Sequence, residues 1–213
     1  MKIEKLSGGL WVPLEDAQIE LWREKGHPHM QDKCLNQFLE WCQIQKKKFN
    51  LIVDVGAWCG TWAMSMQKYA KNIQCYEPNK LHFDCLSRNL APYTHIKLYN
   101  QAVGNVDGFV NLTEESATQN TRVIFEPGDT KISKLDSLET TGMDMLKIDV
   151  EGLEMEVLKG ASTKLNEVEY LMIELNNNSK RYGSSNSVIE RHLKSLGFKE
   201  LIKIWPDIVY YKV

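Results

Sequence analysis

The run Leu51-Ile-Val-Asp-Val-Gly-Ala-Trp-Cys-Gly60 constrains this chain more than any other segment. A short apolar stretch leads directly into Asp-x-Gly-x-x-x-Gly, the pattern of a buried strand that ends in a sharp turn. Gly56 and Gly60 carry no Cβ, so the chain can reverse after the strand and leave bare peptide groups against which a ligand can lie. In nucleotide-binding folds such a strand feeds a helix whose N-terminus faces the ligand at the carboxyl edge of the sheet. Spacing then selects among ligands. A dinucleotide fingerprint reads Gly-x-Gly-x-x-Gly, and here Asp54 stands where the first of those glycines would be. An acidic group at the turn suits a cationic ligand better than a diphosphate. The common cationic nucleoside cofactor is S-adenosylmethionine, so the turn points to methyl transfer in preference to hydride transfer.

From residue 51 onward the pattern alternates. Strands are expected at 51–55, 73–77, 96–101, 145–149 and 170–175, with helices at 62–70, 80–90 and 153–159. That alternation predicts an α/β fold: a mostly parallel sheet with helices on both faces. Between the third and fourth strands, extended pieces at 108–112 and 121–125 flank a polar, Ser- and Thr-rich loop and read as an inserted hairpin or flap. After a helix at 188–196, Gly197 stops the pattern, and strands at 198–204 and 208–213 are joined through Trp205-Pro-Asp207. So short a link favours an antiparallel pair. At 213 residues the chain fits one domain. Residues 1–50 form a helical lead-in and candidate substrate cap, with helices at 14–25 and 31–46 separated by Gly26-His-Pro-His29; residues 51–213 form the core.

A net charge of -2 gives no global attraction to phosphates, which weighs against nucleic acid as partner. The five cysteines, Cys34, Cys42, Cys59, Cys75 and Cys85, are odd in number, contain no C-x-x-C pair and sit mostly in apolar segments. They read as reduced thiols of a cytoplasmic protein. No run approaches the length of a membrane span, and Met1-Lys-Ile-Glu-Lys lacks the apolar stretch of a signal peptide.

Three further sheet-edge segments fall in step with the glycine turn. Tyr76-Glu-Pro-Asn79 ends the second strand, some twenty residues after the turn, where a carboxylate can accept hydrogen bonds from both hydroxyls of a ribose. Glu77 is therefore the ribose candidate, the alternative being a solvated acid before a turn proline. Tyr99-Asn-Gln-Ala-Val-Gly104 follows the third strand and either flanks an adenine ring through Gln101 and Ala102 or simply ends a buried strand. Asp144-Met-Leu-Lys-Ile-Asp-Val-Glu-Gly-Leu-Glu154 places charges within an otherwise buried strand. Burying a charge is costly unless it is paired, so Lys147 and Asp149 are either partners or site residues. Strand alternation puts Lys147, Asp149 and Glu151 on one face for as long as the chain stays extended.

Together these segments resemble the FkbM family of S-adenosylmethionine-dependent methyltransferases. The matching pieces are Val53-Asp-Val-Gly-Ala57 with Gly60, Tyr76-Glu-Pro-Asn79, Asn89-Leu90, Ala102-Val-Gly104, Lys134-Leu-Asp-Ser-Leu138, Leu146-Lys-Ile-Asp-Val-Glu-Gly152 with Glu154, and Val157-Leu-Lys-Gly-Ala161, in family order over 51–174. The resemblance implies a class I, Rossmann-like fold: a seven-stranded, mostly parallel sheet closed by a C-terminal antiparallel hairpin. It also implies S-adenosylmethionine as cofactor and methylation of a hydroxyl on a sugar or other small metabolite. An RNA or nucleoside methyltransferase and a non-catalytic binding module are the alternatives. One departure stands out, since the family usually has Asn where this chain has Trp58.

The expected cofactor contacts are Asp54, Gly56, Ala57, Trp58, Gly60, Glu77, Pro78, Gln101, Ala102 and Asp149. A sulfonium methyl is already electrophilic, so the protein chiefly has to align the acceptor and exclude water. A hydroxyl is a poor nucleophile while protonated, which calls for a base. Asp149 and Glu151, with Lys147 beside them, are the catalytic candidates; equally, the two acids cap the following helix or bind the cofactor's amino group. No metal is expected, although Glu174 and Asn176 are placed to join Asp149 around Mg²⁺ in the less favoured reading. His27 and His29 read as solvent-facing, Trp11, Trp22 and Trp41 as packing more than as an acceptor pocket, and Lys46-Lys-Lys48 as a helix-terminal charge run.

Overall fold

The computed structural model describes residues 2–14, 16, 18–26, 33–113 and 121–212. Seven strands form the central sheet: β3 (Phe49–Val55), β4 (Ala70–Tyr76), β5 (Ile96–Tyr99), β10 (Met143–Ile148), β11 (Tyr170–Glu174), β12 (Phe198–Ile204) and β13 (Asp207–Lys212). Their spatial order is β5-β4-β3-β10-β11-β13-β12. β3 pairs in parallel with both β4 and β10, β10 with β11, and β4 with β5, while β13 runs antiparallel to β11 and β12. The strand order reverses at the β3–β10 boundary, and in an open α/β sheet that is where the carboxyl ends of the strands open a crevice.

Period-two alternation sorts each strand's side chains onto two faces. Leu51, Val53 and Val55 of β3, Leu146 and Ile148 of β10, and Leu171 and Ile173 of β11 pack with α5 (Glu154–Lys159) and α6 (Asn186–Ser195). The intervening Ile52, Met145, Met172 and Val209 pack with α2 (Lys33–Ile44), α3 (Thr61–Met66) and α4 (Lys80–Leu90). Helix α4 shows why such a segment is helical. Its buried residues His82, Cys85, Leu86, Asn89 and Leu90 recur at three- and four-residue steps, and the Asn79 side chain accepts from the backbone N–H groups of Leu81 and His82 as N-cap.

The elements differ from the sequence reading in three places. The lead-in is not all helical: β1 (Ile3–Lys5) and β2 (Trp11–Pro13) form an antiparallel hairpin ahead of α1 (Ile19–Lys25). The third strand stops at Tyr99, and the chain enters a separate four-stranded sheet, β6-β9-β7-β8, built from β6 (Ala102–Gly104), β7 (Gly108–Leu112), β8 (Val123–Ile124) and β9 (Thr130–Lys134). The expected inserted hairpin is the antiparallel β7–β8 pair, but β9 links it to β6. The segment between the two extended pieces, and His27 and His29, lie outside the described residues. The helix expected at 62–70 ends at Met66, followed by a 3-10 turn, and Ala70 already belongs to β4.

Candidate active site

The turn after β3 is shaped by backbone that tolerates little else. Gly56 has φ +79°, and a Cβ there would lie 1.7 Å from the Asp149 carbonyl oxygen, so the turn and the end of β10 pass too close for any side chain. The N–H groups of Gly56 and Ala57 both donate to the Tyr76 carbonyl, which folds the turn against the end of β4. Glu77 then closes it. Its carboxylate accepts from the N–H of Trp58 at 2.9 Å and of Asn79 at 2.9 Å, and the His82 Nδ1 lies 3.4 Å away. Asn100 donates to the carbonyls of Glu77 and Pro78 and fixes that corner in turn.

Cross-strand register sets the second feature. Lys147 of β10 stands opposite Asp54 of β3, on the face that carries Ile52 and Met172. Its ammonium lies 3.3 Å from Asp54 and 3.3 Å from Asp149 and donates to the Gly56 carbonyl at 2.8 Å. Both members of the Asp54–Lys147 pair are buried. Burial pushes the Asp54 carboxyl up while the Lys147 ammonium pulls it back, and the two carboxylates hold Lys147 protonated despite its own burial. Lys147 is thus a latch between the glycine turn and the end of β10.

Beyond Ile148 the strand ends, and Glu151 takes a left-handed conformation at φ 52°. The expected continuation of one extended face from Lys147 to Glu151 therefore stops short. Even so, Asp149, Glu151 and Glu174 converge, each offering a carboxylate oxygen within 4.8 Å of the others. The Asn178 amide donates to Glu151 at 2.8 Å, and the Asn176 amide donates to Glu174 at 3.0 Å and to Glu151 at 3.3 Å. Burial, followed by Asp149, Glu151 and Asp207, pushes Glu174 up to about 10; burial and Asp149 also raise Glu151. Glu154, whose carboxylate accepts from the Gly152 N–H at 2.8 Å, is raised by burial to about 7.

These parts surround one cavity of about 390 Å³, within the size range of small-molecule sites. Of the expected cofactor contacts, Gly56, Ala57, Trp58, Glu77, Pro78, Gln101, Ala102 and Asp149 line it, as do the catalytic candidates Lys147 and Glu151. Two do not. Asp54 is wholly enclosed at the end of β3, because its side chain points into the α2–α3 face and not out of the turn. Gly60 caps α3, with Leu86 and Leu90 packed beneath it. Sequence reasoning missed the opposite wall. Leu112 and Val123 of the second sheet, Thr121 just ahead of β8, and Leu35, Trp62 and Met172 of the α2–α3 face also border the cavity. Asn79 donates to Thr121, and the Tyr182 hydroxyl donates to the Val123 carbonyl, which pins that wall in place. Of the lead-in tryptophans, Trp41 packs on Phe38 and Tyr170, Trp22 on Trp58, and the Arg88 guanidinium lies over Trp11. None of the three borders the cavity.

A sheet of this order, ending in an antiparallel hairpin and carrying a glycine turn with an acid at the end of the next strand, defines a class I methyltransferase fold. The donor set fits a cation: Glu77 and Asp149 face the cavity, and Lys147, a basic group beside the turn, is already engaged. The chain belongs to the methyltransferase FkbM domain family, whose model matches residues 54–200. It is 29% identical over 165 residues to the hexuronic acid methyltransferase AglP of Haloferax volcanii, covering 73% of this chain and 66% of AglP. The FkbM methyltransferase of Methylobacillus flagellatus superposes with a TM-score of 0.57 at 16% identity, over 76% of this chain and 43% of that one. The N-methyltransferase NodS of Bradyrhizobium japonicum, in complex with S-adenosyl-L-homocysteine, superposes with a TM-score of 0.54 at 9% identity, over 90% of this chain and 91% of NodS. The chain thus spans just under two thirds of AglP and less than half of the Methylobacillus protein. Among the described residues, no helix is long and apolar enough to cross a membrane.

Proposed function

We propose that this chain transfers a methyl group from S-adenosylmethionine to a hydroxyl of a sugar or similar small metabolite. The observation that carries the reading is the convergence of Asp149, Glu151 and Glu174 on the cavity that the glycine turn and Glu77 also border. Gly56, Ala57 and Trp58 would hold the donor's methionine end, Glu77 its ribose, and Pro78, Gln101 and Ala102 its adenine. When bound, that donor supplies an electrophilic methyl group. The chain's own residues then orient the acceptor, exclude water and remove a proton.

Glu151 is assigned the proton. A base works best when its pKa lies near the working pH, and burial beside Asp149 raises Glu151 in that direction. Glu174, pushed up to about 10, retains its proton at neutral pH, so the three acids do not all carry charge at once. Lys147 anchors Asp149 and sets the spacing between the donor turn and the acid group. The sugar acceptor is supported by the similarity to AglP, a hexuronic acid methyltransferase.

The test is transfer of labelled methyl from S-adenosylmethionine into a panel of hydroxyl-bearing sugars, with the product located by mass. Transfer to oxygen, unchanged by a chelator, is the expected outcome. Transfer to nitrogen, or no transfer to any sugar, would refute the acceptor assignment, and loss on chelation with rescue by Mg²⁺ would hand the proton-release role to a cation.

A further inference from the structure

The described residues among 2–26 form one unit. The β1–β2 hairpin and α1 are joined by the Arg23 guanidinium, which donates to both oxygens of Glu4, and by the Gly8 N–H, which donates to the Gly26 carbonyl. That unit meets the glycine turn at several points, Ile3 packing with Cys59 among them, and two connections are specific. In the first, Asn89 of α4 accepts from the Trp11 N–H at 2.7 Å and donates at 2.9 Å to the carbonyls of both Trp11 and Cys59. One buried amide therefore joins strand β2 to the turn. In the second, the Trp58 indole meets the Trp22 ring edge-on at 5.4 Å, and it packs on the Leu6, Val12 and Ile19 cluster as well as on Ile3 and Trp11.

Trp58 is an expensive residue for that place. Its φ of 47° is a conformation that bulky side chains rarely adopt, and its buried Nε1–H finds no hydrogen-bond partner among the described residues. Both features are destabilising. An Asn would relieve both, since it tolerates positive φ and carries no indole. What Trp58 supplies in exchange is contact with the N-terminal unit. The same residue borders the cavity and gives its N–H to Glu77, so its placement bears on the donor site directly.

We infer that Trp58 and Asn89 are positioning residues through which docking of residues 2–26 holds the donor turn in its binding conformation. The N-terminal unit thereby serves the donor end of the cavity and not the acceptor end. Binding linkage is reciprocal: if docking favours donor binding, donor binding must favour docking by the same factor. The inference rests on the donor reading above.

The decisive variant is Trp22→Ala, because Trp22 does not border the cavity and meets the turn residue Trp58 ring to ring. S-adenosyl-L-homocysteine affinity is measured by calorimetry, and amide exchange is followed at Ala57 to Gly60 and at Leu6 and Trp11. Expected are donor affinity weaker on the order of tenfold in Trp22→Ala, faster exchange at the turn, and substantial recovery of both in Trp22→Phe. In the parent protein the ligand should slow exchange at Leu6 and Trp11, a response that Trp58→Asn abolishes. Parent-like affinity and turn exchange in Trp22→Ala would overturn the inference. Failure of the parent protein to bind the ligand would refute the donor reading instead, and turn exchange in Trp22→Ala without ligand would still decide the coupling.

Discussion

Acidic residues stand on both sides of Lys147, Asp54 on the neighbouring strand β3, Glu151 beyond the end of β10 and Glu174 at the end of β11, and the sequence makes them look alike. Asp54 is enclosed, faces the apolar α2–α3 side and is answered by Lys147 in the register of the neighbouring strand. Glu151 and Glu174 are only partly buried, border the cavity and have amides and other acids as neighbours; among the described residues no lysine pairs with either, while Arg181 acts on Glu151 and Lys147 holds the adjoining Asp149. The difference is one of partners. A buried charge with an opposite charge beside it is held to one state and fastens structure, whereas acids that outnumber the cations near them are driven to share protons and can exchange them with a bound molecule.

The largest expected effect falls on the cavity side. Glu151→Gln keeps the shape and the acceptor oxygen for Asn178 but removes the base, so kcat should fall by two to four orders of magnitude, as for loss of a general base. Donor affinity should stay at the parent value by calorimetry. Because burial and Asp149 raise Glu151 from its ordinary value, the parent kcat should climb with pH along a limb shifted upward from that of a free glutamate, and this limb should vanish in the variant. An unchanged pH profile would move the base elsewhere.

On the buried side, Lys147→Met should act on stability. It leaves Asp54 enclosed without its counter-charge and should cost about 3 to 5 kcal/mol in denaturant unfolding. Asp54→Leu combined with Lys147→Met should recover much of that loss. If Lys147→Met unfolds like the parent, the latch is not structural and the two groups of acids are less different than their surroundings indicate.

A smaller effect comes from Glu154, between the two extremes: buried, raised to about 7, and bonded to the Gly152 N–H. Between its ordinary value of 4.5 and about 7 the folded chain keeps a proton that the unfolded chain has lost. Stability is therefore full at the acid end of that window and declines as pH rises through it, by at most about 3 kcal/mol. Thermal melts from pH 5 to pH 8 should show the decline, and Glu154→Gln should shrink it. Glu174 acts in the same direction, so some slope should remain.

How much of this was legible in the sequence follows from what each signal depends on. The strands β3, β10 and β11 announced themselves as largely apolar runs and the terminal pair through its short link, whereas only the later part of β4 showed, because Lys71 and Asn72 near its start are polar and exposed. The hairpin of Ile3–Lys5 with Trp11–Pro13 did not, since three-residue strands are too short to show a period. Strand β9, Thr130–Lys134, has one apolar residue, Ile132, among two lysines, a threonine and a serine, and offers no apolar run. The cavity's acids were found because they cluster in two motifs. The enclosure of Asp54 was not, because a residue's position beside a turn does not reveal which face its side chain takes, and its partner lies ninety-three residues away along the chain. Trp58 was recognisable as a departure, but its reason is a tertiary contact with Trp22, which no local pattern encodes.

Calorimetric titration with S-adenosyl-L-homocysteine and, separately, with NAD tests the central claim most directly. The geometry of the glycine turn and Glu77 predicts one site for S-adenosyl-L-homocysteine, strongly weakened by Glu77→Ala, and no measurable NAD binding. Preferential binding of NAD, or S-adenosyl-L-homocysteine binding that survives Glu77→Ala unchanged, would contradict it.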